Sequence, residues 1–346
     1  MEVFAGGFNT PIVIIAYNRP HLLQQVLSIV RQVQPTQLFL VVDGHKSHTD
    51  NEKCQEVRYL LSNIDWPCDV RRDYSEENQG CGYRIASGLD RVFQQVDKAI
   101  ILEDDCLPHP TFFPFCQTLL THYEHEDNIT QICGTNRLLQ WKNKEQSYLF
   151  ARYGSAWGWA TWRRSWQKYG GHSRLWSDPG VREKIERVIG QPQQYDYFCQ
   201  RYRQAEASPR LIWDYQWSLV QLAGAGRSII PTVNLVKNLG FNADATHTHR
   251  FCLSNLIQDF QPMTFPLRGP VSSDYDDEYD RRHFAFSIGK PEPDSLTLMI
   301  DKLISAGRFV HALLLLNKAI TQYPDEPRFQ KQRELVLQLR AQKQYV

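Results

Sequence analysis

An α/β fold is what this 346-residue chain predicts: a mostly parallel central sheet, flanking helices, and a helical hairpin at the C-terminal end. Two observations carry the prediction. Through the first third of the chain, short apolar strands alternate with amphipathic helices, an order that builds a parallel sheet covered on its faces. After residue 292 the apolar spacing is helical only.

The elements follow in order. Pro11 to Tyr17 is a β-branched run, turned by Asn18-Arg19-Pro20. Leu22, Leu23, Val26, Leu27 and Val30 then share one helical face. Leu38 to Val42 is a second strand, closed by Asp43-Gly44. Residues 50–63 are helical, with Val57, Leu60, Leu61 and Ile64 in phase, and a short strand follows near Val70. Asn78-Gln79-Gly80 breaks the chain before Ile85, Ala86, Leu89, Val92, Phe93 and Val96 mark a strongly amphipathic helix. Ala99 to Leu102 is the next strand. Right-handed crossovers put the ends of parallel strands on one rim, so the residues that follow each strand are expected to converge there.

The sharpest of these strand ends is Glu103-Asp104-Asp105. A strand interior does not tolerate three carboxylates, because a buried unpaired charge is very costly. They belong at the carboxyl end, where open α/β sheets place ligands. The run reads either as an acidic turn or as the seat of a hard divalent cation, Mg2+ or Mn2+, bridging to a diphosphate. No G-x-G-x-x-G follows the first strand and no G-x-x-x-x-G-K-[ST] occurs, which counts against dinucleotide and P-loop chemistry.

Hydrophobic residues make up 42% of the chain, enough for a sizeable core. Lys plus Arg number 39 and Asp plus Glu 38, so the net charge of +1 argues against a nucleic-acid-coating protein. No apolar run approaches the ~20 residues of a membrane span, and no secretory signal is visible at the start. None of the eight cysteines forms a C-x-x-C pair. They read mostly as buried thiols of a cytoplasmic protein.

Ser147 to Trp166 is dense in glycine and aromatics, with Trp157, Trp159, Trp162 and Trp166 among them. Aromatic rings pack on the apolar faces of sugars, but they also fill cores. Most of these Trp residues are expected in the core, with Trp157 or Trp159 near a sugar. In Leu211-Ile212-Trp213-Asp214-Tyr215-Gln216-Trp217 a lone carboxylate stands among bulky apolar side chains. Asp214 either caps the following helix or serves as a functional acid.

The domain reading is a main unit over 1–258, a Pro- and acid-rich linker or mobile loop over 259–292, and a helical hairpin over 293–346. In the last, Gly307, Phe309, Ala312, Ala319 and Pro324 resemble half of a tetratricopeptide repeat. A single repeat cannot bury its own face, so the hairpin should pack on the main unit, on a second copy or on a partner protein.

In their order and spacing, "PIVIIAYNRP", "LFLVVDG", "ENQGCGYRIASGLDRVF", "AIILEDDCLPHPTFF", "YGSAWGWATWRRSW" and "LIWDYQW" resemble the GT-A nucleotide-sugar glycosyltransferases. The nearest likenesses are the bacterial family 2 type enzymes and the N-acetylglucosaminyltransferase I group, over residues 10–250. The resemblance implies a metal-dependent, inverting transfer of a sugar from a nucleoside-diphosphate sugar, UDP favoured, to a hydroxyl of a glycan, lipid-linked or protein acceptor. Bacterial glycan assembly is the setting it suggests. By the same likeness Tyr17, Asn18 and Arg19 border the nucleotide, Asp43 meets the base, and Tyr83 and Arg84 lie at the nucleotide or its phosphates. Glu103-Asp104-Asp105 takes the D-x-D position with Glu first, as in the N-acetylglucosaminyltransferase I group. There Asp105 would bind Mn2+ or Mg2+, and Glu103 and Asp104 would reach the ribose or metal-bound water. Asp214 matches the segment that supplies the catalytic base, and His247 a late ligand to the metal or diphosphate. The rival readings are a sugar-nucleotidyltransferase and a non-catalytic scaffold that binds glycan or nucleotide-sugar.

Overall fold

The computed structural model describes residues 7–141, 145–170, 175–240 and 260–343. Its centre is an eight-stranded sheet. The strands are β1 (Ile12–Ala16), β2 (Gln37–Val42), β3 (Asp69–Tyr74), β4 (Lys98–Glu103), β6 (Ile129–Cys133), β7 (Tyr148–Ala151), β8 (Trp159–Trp162) and β9 (Arg227–Pro231). They lie in the order β3-β2-β1-β4-β8-β6-β9-β7. β3, β2, β1, β4, β6 and β9 run one way; β8 and the edge strand β7 run the other. This is the mostly parallel α/β sheet that the alternation predicts. A small antiparallel pair, β5 (Cys106–Pro108) with β10 (Val236–Asn238), clasps the chain just past the acid triplet.

The two faces of the sheet are covered as period-2 alternation requires. Ile12, Ile14, Leu38, Leu40, Ile100 and Leu102 face one way. They pack on α1 (Pro20–Val33), α2 (His48–Ser62) and α4 (Phe112–His122). Val13, Ile15, Phe39, Val41, Ala99 and Ile101 face the other way, toward α3 (Cys81–Phe93), α5 (Arg163–Trp166) and α8 (Trp213–Ala223). Trp159 lies at the heart of this second layer. Its ring centroid is 5.9 Å from Trp213, 5.6 Å from Trp217 and 6.3 Å from Trp166. Trp159, Trp162 and Trp166 are therefore core, whereas Trp157 is half-buried at the rim. α6 (Pro179–Ile189) and α7 (Pro192–Ala207) form a third cluster with Tyr153, Leu219 and Leu222.

The acid-rich stretch 260–292, expected as a linker or loop, contains a helix, α9 (Asp277–Ser287). Its charges are spent locally. Asp276 caps α9 by accepting from the Tyr279 N–H at 2.9 Å and also accepts from Trp141 Nε1 at 2.7 Å. Asp280 accepts from the Arg152 N–H at 3.1 Å and pairs with its guanidinium at 3.0 Å. Tyr279 and Phe286 share one apolar cluster with Leu138, Leu149 and Ile230 of the sheet edge and with α10 (Pro293–Ser305), α11 (Phe309–Gln322) and α12 (Pro327–Lys343). The C-terminal helices therefore pack on the main unit.

His283 of α9 is buried between the rings of Tyr279 and Tyr153, 5.9 and 6.1 Å away, and its Nδ1 has no hydrogen-bond partner. Burial, with the nearby Arg137 cation adding to it, pushes its pKa down to about 3. A depressed histidine contributes stability that is present above about pH 6.5 and lost as pH falls toward 3. At about pH 5 the loss amounts to about 2 kcal/mol. His283→Phe is expected to remove it: between pH 7 and pH 5 the variant's melting temperature falls less than that of the parent protein. An equal fall in both proteins counts against a neutral buried imidazole.

Candidate active site at the carboxyl rim of the sheet

The strand ends do converge. β1 delivers Tyr17, Asn18 and Arg19, β2 delivers Asp43, and β4 delivers Glu103, Asp104 and Asp105. Arg19 answers the acids: its Nη1 donates to Asp105 Oδ2 at 2.7 Å and its Nη2 pairs with Asp104 Oδ1. Asp104 also accepts from the Tyr17 N–H at 3.2 Å. Burial raises the pKa of both Glu103 and Asp104. Asp105 pushes each further up, and Arg19 pulls each down. One guanidinium thus stands against three crowded carboxylates.

Other expected contacts are already committed within the chain. Tyr17 Oη and Asn18 Nδ2 donate to Asp50 of α2 at 2.8 and 3.0 Å, fixing the β1 loop to that helix. Asp43 accepts four hydrogen bonds, from the N–H groups of Gly44, Gln79 and Gly80 and from Asn78 Nδ2, at 2.9 to 3.0 Å. A carboxylate has about four acceptor positions, so none is left for a nucleotide base. Asp43 ties the β2 turn to the 78–80 loop instead. Arg84, expected at the phosphates, is only 1% exposed. Its Nε donates to Val42 O at 3.0 Å, and its Nη2 bonds Asp73 O and pairs with the Asp73 carboxylate at 3.0 Å. It braces the ends of β2 and β3 because those carbonyls, and not the cleft, meet its side chain. Tyr83, one residue earlier on α3, is exposed.

Asp214 lies in the first turn of α8, whose start packs on the start of α3. The contact is backbone-close: a Cβ on Gly82 would stand 1.9 Å from Leu211 O. Glycine is required there because no side chain fits. Asp214 itself opens to solvent. Its pKa is raised by the surrounding protein walls, an effect opposed by the N–H groups of Asp214 and Tyr215 and by the Arg137 and Arg201 cations. The Asp214 charge is felt at Glu103. It is also felt, with Glu103, Asp104 and Arg19, at Cys81 at the start of α3. Asp214 and the acid triplet therefore lie near enough to the start of α3 for both to bear on Cys81.

Three residues at this rim have no counterpart in the sequence reading. Arg137 follows β6 and lies over Trp157, its guanidinium 5.0 Å from the ring centroid. The same signal that marks the other strand ends, a polar turn after an apolar strand, was there in Gly134-Thr135-Asn136-Arg137. Asn238 of β10 stands 3.5 Å from Asp105 Oδ1, and the Gly240 backbone lies so close that a Cβ would meet Asp105 Oδ2 at 2.3 Å. His247 lies outside the described residues.

The oxygen donors suit a hard divalent ion, and the cation already seated on Asp104 and Asp105 is the Arg19 guanidinium. Among the described residues no three His, Cys, Asp or Glu side chains converge as a ready-made cage. Mg2+-type ions commonly use one or two carboxylates and take their remaining ligands from substrate phosphates and water. The residues present fit that mode.

No family model matches the chain, and no curated protein matches it. Solved structures resemble it at low scores. An apo UDP-glucose pyrophosphorylase has 8% identity and a TM-score of 0.37, over 67% of this chain and 93% of its own. Mouse xyloside xylosyltransferase 1, apo form, has 9% identity and a TM-score of 0.32, over 62% and 81%. The 4-diphosphocytidyl-2C-methyl-D-erythritol synthase of Anaerococcus prevotii has 8% identity and a TM-score of 0.30, over 64% and 88%. Likeness at this level says nothing about what this chain binds. Among the described residues no helix is long and apolar enough to cross a membrane.

Proposed function

We propose that this protein is a glycosyltransferase that moves a sugar from a nucleoside-diphosphate sugar to an acceptor hydroxyl. One observation supports the reading: Asp214 and the acid triplet 103–105, far apart in sequence, come close enough that the Asp214 charge is felt at Glu103 and both are felt at Cys81. The donor diphosphate lies against the rim at Arg19 and Asp105, with Glu103 and Asp104 toward the ribose and UDP as the favoured nucleotide. Asp105 would hold a divalent ion, Mn2+ or Mg2+, which when bound supplies positive charge to the departing diphosphate. Arg19, released from one carboxylate, carries a fork suited to phosphate oxygens. Asp214 accepts the proton of the acceptor hydroxyl as that oxygen attacks the anomeric carbon, and its raised pKa makes it a better base than an ordinary aspartate. A single displacement with one base inverts the anomeric centre.

Thermal shift against UDP-, GDP- and CMP-sugars, with and without Mn2+, tests the class, because a ligand that binds only the native state raises the melting temperature. Stabilisation by one donor, followed by its slow hydrolysis, supports transfer. Pyrophosphate-dependent formation of a nucleoside triphosphate would establish a nucleotidyltransferase instead, and silence toward every donor a scaffold. Asp105→Ala is expected to abolish any effect of Mn2+ and to weaken diphosphate binding at least tenfold by calorimetry. Unchanged Mn2+-enhanced affinity removes Asp105 from that role.

A further inference from the structure

Two arginines near Asp214 have no part in the proposed donor site. Arg137 and Arg201 both act on the charge of Asp214, and each is laid on aromatic rings. Arg137 covers Trp157 at 5.0 Å, and Arg201 of α7 lies 5.5 Å from Tyr215 and 5.7 Å from Tyr197. Stacking holds a guanidinium plane in place while its N–H groups stay available as donors. Among the described residues neither arginine sits in an ion pair, and Arg137 Nε is buried without a hydrogen-bond partner. Asp214 accepts from the N–H groups of its own helix turn. Two pre-positioned guanidinium forks beside an unpaired carboxylate make a subsite for an anion.

We propose that Arg137 and Arg201 bind an acidic group of the acceptor, a carboxylate or phosphate next to the reacting hydroxyl, so that the acceptor is an anionic glycan. This rests on the transferase reading of the same cleft. The Arg fork matches the two oxygens of a carboxylate or phosphate. A neutral acceptor would leave both forks unsatisfied as it displaced their water, at a cost in affinity.

The test uses the full chain with three probes, methyl glucoside, methyl glucuronide and glucose 6-phosphate, observed by saturation-transfer NMR at low and high ionic strength. The glucuronide, the phosphate sugar or both are expected to bind at least tenfold more tightly than the glucoside, with the preference shrinking as salt rises. Comparing the two acidic probes tells carboxylate from phosphate. Arg137→Gln and Arg201→Gln should each reduce the preference; Arg201, being exposed on α7, is the variant least able to disturb folding. Equal binding of acidic and neutral sugars overturns the proposal. So does a loss of UDP affinity in the arginine variants with sugar binding unchanged, since the pair would then serve the donor. If acidic sugars bind through the arginines while no nucleotide-sugar binds at all, the anion subsite stands and the transferase reading falls.

Discussion

Asp214→Asn is expected to lower sugar transfer by about 10²–10⁴-fold, the usual worth of a positioned general base, while donor affinity changes little. The asparagine is nearly isosteric and keeps the acceptor oxygen toward the N–H groups of its own turn, so the helix start should hold. What it loses is the ability to take a proton. In the parent protein the cleft walls raise the Asp214 pKa, so transfer should fall as pH drops through that raised value, at a higher pH than an ordinary aspartate would give. The variant should show no such acid limb. The measurement is kcat against pH for both proteins, with donor binding followed by calorimetry. Normal turnover by the variant would move the base elsewhere in the cleft.

Gly82→Ala should be nearly as damaging, although glycine has no side chain to offer a substrate. The added methyl would lie 1.9 Å from Leu211 O and 2.8 Å from Leu211 C, both backbone atoms. A flexible side chain can swing aside; a carbonyl cannot move without carrying its chain. Overpacking of this kind costs about 1–3 kcal/mol. The relief available is a shift of residues 211–214 away from α3, which moves Asp214 relative to Glu103 and Asp105. A displacement near 1 Å of a reacting group is worth on the order of 100-fold in rate. The expected signature is a loss in kcat larger than any loss in donor affinity, with a modestly lower melting temperature. Full activity with the same loss of stability would mean that the cleft tolerates the shift.

Much of the fold was legible because the sequence punishes alternatives. Strands such as Ile12 to Ala16 are too apolar to be anything but buried, and Glu103-Asp104-Asp105 is too charged to continue one. The rim followed from handedness alone. What spacing does not reveal is whether a polar side chain has already spent its hydrogen bonds. Asp43 follows β2 and Arg84 lies in the first turn of α3, as expected, yet the 78–80 loop saturates one and two strand-end carbonyls with Asp73 engage the other. Helix α9 was missed for the converse reason. Its run of acids reads as solvated, and only the fold supplies Trp141 and Arg152 to meet them. Arg137 stood in a polar turn after β6 that was passed over, and Arg201 escaped notice because spacing does not show that a helix arginine lies on the Tyr215 ring.

The apolar cluster that joins α9 to α12 with the sheet edge has a practical consequence for anyone shortening the protein. A stop after residue 292 would remove Leu296, Met299, Ile300, Leu315 and Leu316 and leave the rest of their apolar cluster, Tyr279 and Phe286 of α9 included, partly uncovered. The expected product is insoluble or polymeric, not a trimmed monomer. Protease nicking between α9 and α10 should leave both fragments associated until denaturant is added. The helical tail behaves as a keel, and the hull does not float without it.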